Sequence, residues 1–126
     1  MGLRLCLIGA DAVLPDGSVL TSPGALTIAL VGQREHVPVF AVTDLWKLMP
    51  AVSAELLALN EFEDPDGVPE ALDWKAAGYR FRNPLVDIVP GDALTGLITE
   101  AGVISPADAG RIANERYGLG PAPEAA

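Results

Sequence analysis

Few side chains in this sequence are equipped for chemistry, and most of them fall in one stretch: Gly9, Asp11, Thr21, Ser22 and Gly24. A carboxylate such as Asp11 can accept hydrogen bonds from hydroxyl groups or move a proton, and adjacent Thr and Ser hydroxyls can donate to an anion. If a helix starts just after Ser22, its unpaired backbone N–H groups and partial positive charge add to those hydroxyls, and a phosphate group is the natural guest. Lys47 is the nearest candidate for a positive charge that would complete the site. Spacing alone leaves plainer alternatives open, in which Asp11 caps a loop, Ser22 caps a helix, and Lys47 flanks a tryptophan packed on the domain edge.

The elements that must position these residues follow from local pattern. Leu3, Leu5, Cys6, Leu7 and Ile8 form an apolar run that suits a strand buried in a parallel sheet, and Gly9 breaks it. Asp16-Gly17 signals a turn, and Ser22-Pro23 reads as an N-cap followed by a first-turn proline. The stretch from Gly9 to Gly24 is therefore expected to be a polar loop leading into a helix over 23–35. That helix carries Ala25, Leu26, Ile28, Ala29, Leu30 and Val31, an apolar surface wider than one stripe, so it is sandwiched in the fold or packed on another subunit. A second strand over 37–42 then delivers Lys47 beside the first loop, because ligand crevices in open α/β sheets lie at the carboxyl ends of the strands.

Farther on, a short helix is expected over 51–59. Glu61, Glu63, Asp64, Asp66, Glu70 and Asp73 cluster among prolines and a glycine without the alternating spacing of a calcium loop, so they read as a solvated acidic loop. Trp74, Tyr79 and Phe81 follow and suit anchors for that loop or for an interface. The segment 83–90 is extended, a helix begins near Pro90 or Gly91, and a short strand spans 97–99. Ser105-Pro106-Ala107-Asp108 has capping-box character and Gly118 offers a stop, which places a last helix over 106–117. Residues 1–118 form one domain and 119–126 a flexible tail.

Composition narrows the function classes. The chain has 126 residues, eight basic against seventeen acidic side chains and a net charge of −9, which disfavours nucleic acid as a partner. No apolar run approaches the ~20 residues of a membrane span, and the amino terminus lacks a signal-peptide pattern. One cysteine excludes an internal disulfide framework, so a cytoplasmic location is expected. The lone histidine, His36, reads as a solvated helix-end residue, and no His or Cys cluster suggests a metal or cofactor.

Three stretches in order resemble one known family. Gly9-Ala10-Asp11 with Asp16-Gly17-Ser18-Val19, Gly24 and the later Val37-Pro38-Val39-Phe40 is similar to the carboxyl-terminal part of the translation initiation factor 2B alpha/beta/delta family. Asn60-Glu61-Phe62-Glu63-Asp64-Pro65-Asp66 resembles a stretch of its regulatory subunits. Asn83-Pro84-Leu85-Val86-Asp87, running on to Ile98-Thr99-Glu100-Ala101-Gly102-Val103-Ile104 and Pro106, resembles its closing signature. The family also includes methylthioribose-1-phosphate and ribose-1,5-bisphosphate isomerases.

The resemblance implies an α/β, three-layer, Rossmann-like partial domain with a mainly parallel sheet of about four strands. It also implies that Asp11 stands where the isomerases keep an acid/base aspartate. Their catalytic cysteine belongs to a segment upstream of the Gly-Ala-Asp motif, and Cys6 does not match it. Their asparagine-lysine pair before the helix is replaced by Thr21-Ser22. The expected function is therefore a non-catalytic module that binds a sugar phosphate or nucleotide, or serves in assembly. Gly9, Asp11, Thr21, Ser22, Gly24 and Lys47 would line its site. The alternative is half of a sugar-phosphate isomerase completed by another chain. Either would work as a homo-oligomer, without a cofactor.

Overall fold

In the computed structural model, residues 2–52, 78 and 84–118 are described. The chain builds an α/β fold around a four-stranded, mainly parallel sheet. Strands β1 (Cys6–Gly9) and β4 (Val39–Val42) pair in parallel, with Cys6 beside Val39 and Ile8 beside Ala41. Strand β6 (Gly96–Thr99) joins β4 in parallel, and β7 (Gly102–Ile104) folds back antiparallel on β6, giving the order β1-β4-β6-β7. The expected strands over 37–42 and 97–99 thus form, whereas β7, three residues after a tight turn, was not anticipated.

The stretch from Gly9 to Gly24 is not the expected simple loop. It contains β2 (Ala12–Val13) and β3 (Val19–Thr21), an antiparallel hairpin to which β5 (Asp87–Val89) adds on the far side of β3. The turn chemistry explains it. Asp16 Oδ1 accepts from the Ser18 N–H at 2.9 Å, Gly17 sits at φ 83°, and the Leu14 N–H reaches the Ser18 carbonyl at 2.8 Å. Val13 and Val19, both fully buried, close the hairpin onto the core.

Helix α1 (Ala25–Arg34) starts two residues later than expected. Its N-cap is Gly24 at φ 100°, not Ser22, whose backbone carbonyl instead accepts from the Ala25 N–H at 3.3 Å. Ala25, Ala29 and Gly32 form the buried stripe, and their small size lets the helix lie close on the sheet. The bulkier Ile28, Leu30 and Val31 are about half exposed. The helix ends with its C-terminal carbonyls closed back on themselves: the Val37 N–H bonds Gly32 O at 2.8 Å and the His36 N–H bonds Gln33 O at 3.4 Å. His36, exposed as expected, occupies the left-handed position at φ 56°, where glycine is the usual residue.

The helix expected near Pro90 is a single 3-10 turn, Gly91–Ala93, before the chain enters β6. The last helix forms in two parts, a 3-10 turn Pro106–Asp108 with Ser105 Oγ accepting from the Ala107 N–H at 3.3 Å, then α2 (Ala109–Tyr117), stopped by Gly118 at φ 60°. The expected helix over 51–59, the acidic loop, Trp74, Tyr79, Phe81 and the tail 119–126 lie outside the described residues. One continuous core joins these parts, centred on Val13, Val19, Val39, Ala41, Val89 and Leu97.

Two substitutions test this account by urea unfolding. A Cβ on Gly110 would stand 2.5 Å from the Pro15 carbonyl oxygen, so Gly110→Ala destabilises by about 1–3 kcal/mol despite its better helix propensity. His36→Gly relieves the left-handed backbone and stabilises by about 1 kcal/mol.

Candidate functional site

The carboxyl end of β1, the carboxyl end of β3 and the start of α1 enclose a crevice of about 630 Å³. All six sequence-expected residues, Gly9, Asp11, Thr21, Ser22, Gly24 and Lys47, line it. Gly9 ends β1, and Asp11 follows with its N–H on the Leu20 carbonyl at 2.8 Å, which leaves the exposed carboxylate at the rim. Thr21 is buried at the end of β3, and Ser22 and Gly24 are exposed.

Lys47 enters from a different segment. It closes a 3-10 turn, Leu45–Lys47, that follows β4, and its ammonium donates to the Ala10 carbonyl at 3.0 Å, with Asp44 Oδ2 at 3.9 Å. The turn is held from two sides. The Leu45 N–H donates to both Glu100 carboxylate oxygens, at 3.2 and 3.0 Å, and the Tyr117 hydroxyl donates to Leu45 O at 2.9 Å. The same turn carries Trp46, 75% exposed, with the Arg116 guanidinium 5.1 Å from its ring centre and the Tyr117 ring 6.4 Å away. Lys47 thus lies at the crevice, and the neighbouring Trp46 is exposed, not packed into the domain edge.

The helix start differs from expectation. The Gly24 and Leu26 N–H groups donate to Asp87 Oδ2, at 2.8 and 3.1 Å, and the Ala25 N–H is on Ser22 O. The positive end of α1 therefore faces a carboxylate of this chain's own. Sequence reasoning missed that role of Asp87, because its partner lies 61 to 63 residues away. The only local signal was an aspartate at the head of a strand.

Cys6 is not part of the crevice. It lines a separate apolar groove of about 460 Å³ between the β1 edge and α1, with Leu3, Ile28, Val31 and Val37. Among the described residues, no group of three or more His, Cys, Asp or Glu side chains is arranged to hold a metal ion, and no helix is long and apolar enough to cross a membrane. What the crevice offers is one ammonium, one exposed hydroxyl and one exposed carboxylate around a glycine-lined floor. Such a set suits a small polyhydroxylated anion.

An open α/β fold with a crevice at its strand ends is of the Rossmann-like class. Residues 3–106 match the model of the initiation factor 2 subunit family, and the chain belongs to that family. It is 30% identical over 117 residues to ribose 1,5-bisphosphate isomerase of Methanocaldococcus jannaschii, an alignment that covers 92% of this chain and 37% of that protein. It is also 30% identical over 101 residues to methylthioribose-1-phosphate isomerase of Albidiferax ferrireducens, covering 78% of this chain and 28% of that one. The crystal structure of the Pyrococcus horikoshii translation initiation factor eIF-2B superposes with a TM-score of 0.63 at 25% identity, over 82% of this chain and 34% of that one. The chain thus spans about a third of the length of the relatives it matches.

The tie between Asp87 and α1 is testable without any ligand. Asp87→Ala leaves two helix N–H groups without their carboxylate and destabilises by about 2 kcal/mol, whereas Asp87→Asn, which keeps an acceptor, costs less. Equal losses in denaturant titrations of the two variants would contradict a charge-assisted cap.

Proposed function

We propose that this chain is a non-catalytic, initiation-factor-2B-like module that binds a sugar phosphate or nucleotide in the crevice. The observation that carries the reading is that residues from three separate segments, Asp11, Thr21-Ser22 and Lys47, converge on one cavity of small-metabolite size. Because Asp87 takes up the helix N-terminus, the phosphate is held by the Lys47 ammonium and the Ser22 hydroxyl, and Asp11 accepts from sugar hydroxyls. The names of the two isomerase relatives, which act on ribose phosphates, support that ligand class. The module works in the cytoplasm as a homo-oligomer.

A second reading rests on Asp11. It stands exposed in the crevice at the position where the resemblance places an acid/base aspartate, so the chain would be half of a sugar-phosphate isomerase, with a second chain supplying the missing cysteine. Isomerase activity on ribose 1,5-bisphosphate or methylthioribose 1-phosphate that requires a second polypeptide and is lost in Asp11→Asn would favour this reading.

Thermal unfolding with pentose phosphates, methylthioribose phosphate, nucleoside monophosphates and inorganic phosphate tests the binding function. One organic phosphate at a hundredfold its Kd adds about 2.7 kcal/mol, well beyond inorganic phosphate. Lys47→Ala and Ser22→Ala each abolish most of that gain. A panel in which no organic phosphate exceeds inorganic phosphate, or a shift that survives both substitutions, would overturn it.

A further inference from the structure

Asp44 stands three residues before Lys47, and the binding mode proposed above gives its carboxylate no task. It is the N-cap of the 3-10 turn Leu45–Lys47, yet its side chain does not cap that turn. The Leu45 N–H donates instead to both Glu100 oxygens. The Asp44 carboxylate is thereby left to the ammonium. Its Oδ2 lies 3.9 Å from Lys47 Nζ, and its Oδ1 is closed off from solvent without a hydrogen-bond partner among the described residues. A charge partly shut away from water is screened less than one on the open surface.

We propose that Asp44 is a specificity-determining residue that limits the crevice to ligands with a single phosphate, an inference that rests on the phosphate-binding reading above and narrows its ligand class. The charges around the cavity support it. Among the described residues, the ammonium lining the crevice is that of Lys47, and three carboxylates stand near it: Asp11 on the rim, Asp44 beside Nζ, and Asp87 on the Gly24 and Leu26 N–H groups. One phosphate meets the Lys47 ammonium and the Ser22 hydroxyl. A second phosphate on the same ligand adds repulsion from these carboxylates without a second ammonium to offset it. Nor is the start of α1 free to receive it, because Asp87 Oδ2 already accepts from two of its N–H groups.

Of the three carboxylates, Asp44 bears most directly on the phosphate. Asp87 is matched by the positive end of α1, and Asp11 is exposed and faces sugar hydroxyls. Asp44 is not one of the residues that line the cavity, so it acts on a ligand through its field and not by contact. Standing behind the ammonium, it subtracts from the positive potential that Lys47 presents, and the loss weighs more on a ligand of higher charge.

Isothermal titration calorimetry of the 126-residue chain with two ligand pairs tests the proposal: ribose 5-phosphate against ribose 1,5-bisphosphate, and AMP against ADP. The wild type binds the monophosphate of at least one pair and binds its more highly charged partner about tenfold more weakly. Asp44→Asn, which keeps the shape of the side chain and removes its charge, tightens the more charged ligand more than the monophosphate, so the Kd ratio narrows about threefold. A salt titration of the wild type gives a check that needs no variant. Raising the ionic strength from about 0.02 M to about 0.5 M screens the repulsion and narrows the same ratio. A more charged ligand that binds as tightly as the monophosphate, a ratio that widens with salt, or a ratio unchanged in a folded Asp44→Asn overturns the inference and leaves the crevice a phosphate site. If no member of either pair binds, the binding reading falls and this inference falls with it.

Discussion

The carboxylate of Asp87 on the first turn of α1 is the contact on which the rest of the site depends. It joins a residue late in the chain to a helix near its beginning, and it does so because β3 and β5 pair with Thr21 directly beside Asp87. Without that register the helix start would have no acceptor for the Gly24 and Leu26 N–H groups. With it, the small antiparallel sheet, the helix and the crevice floor become one unit. The same contact determines the electrostatics, since the positive end of the helix is already matched by a carboxylate. The phosphate ligand proposed above would then need its cation elsewhere, and among the described residues the cation lining the crevice is Lys47.

Lys47 owes its position to equally distant contacts. Its turn is gripped by Glu100 from the β6-β7 connection and by Tyr117 from the end of α2, and the next segment is tied down by the Met49 N–H on the Val13 carbonyl at 2.8 Å. The ammonium itself rests on the Ala10 carbonyl, directly before Asp11. A flexible side chain is thereby given one preferred place, which would lower the entropy lost on meeting the ligand proposed above. The cation and the carboxylate that flank the crevice are thus brought together by the core strands β1 and β4, not by their neighbours in sequence.

Much of this could be read from residue order. The apolar runs before Gly9 and over 37–42 and the capping pattern at Ser105 are local signals, and β1, β4 and α2 lie within a few residues of expectation. All six site residues line one cavity, because loops at strand ends in an open α/β sheet converge whatever their sequence. What was hidden had non-local or very short causes. The β2-β3 hairpin is built from strands of two and three residues, too short to show a period, and β7 is no longer. Ser22-Pro23 has the local signature of a helix start, but the cap is supplied by Asp87 through the β3-β5 pairing, so α1 begins at Ala25. The helix near Pro90 fails because only five residues, 91–95, separate that proline from the β6 strand's entry, room for a single 3-10 turn.

As a member of the initiation factor 2 subunit family that spans about a third of its relatives, the chain carries the strand-end crevice in a compact α/β frame. The proposed function places a phosphorylated sugar or nucleotide in that crevice. The most direct measurement is a backbone amide NMR titration of the labelled chain with ribose 5-phosphate. The account predicts saturable shifts confined to Gly9, Ala10, Asp11, Thr21, Ser22, Gly24 and Lys47, with the Asp87 region following as the helix start responds. Shifts that do not saturate, or that cluster away from these residues, would contradict it.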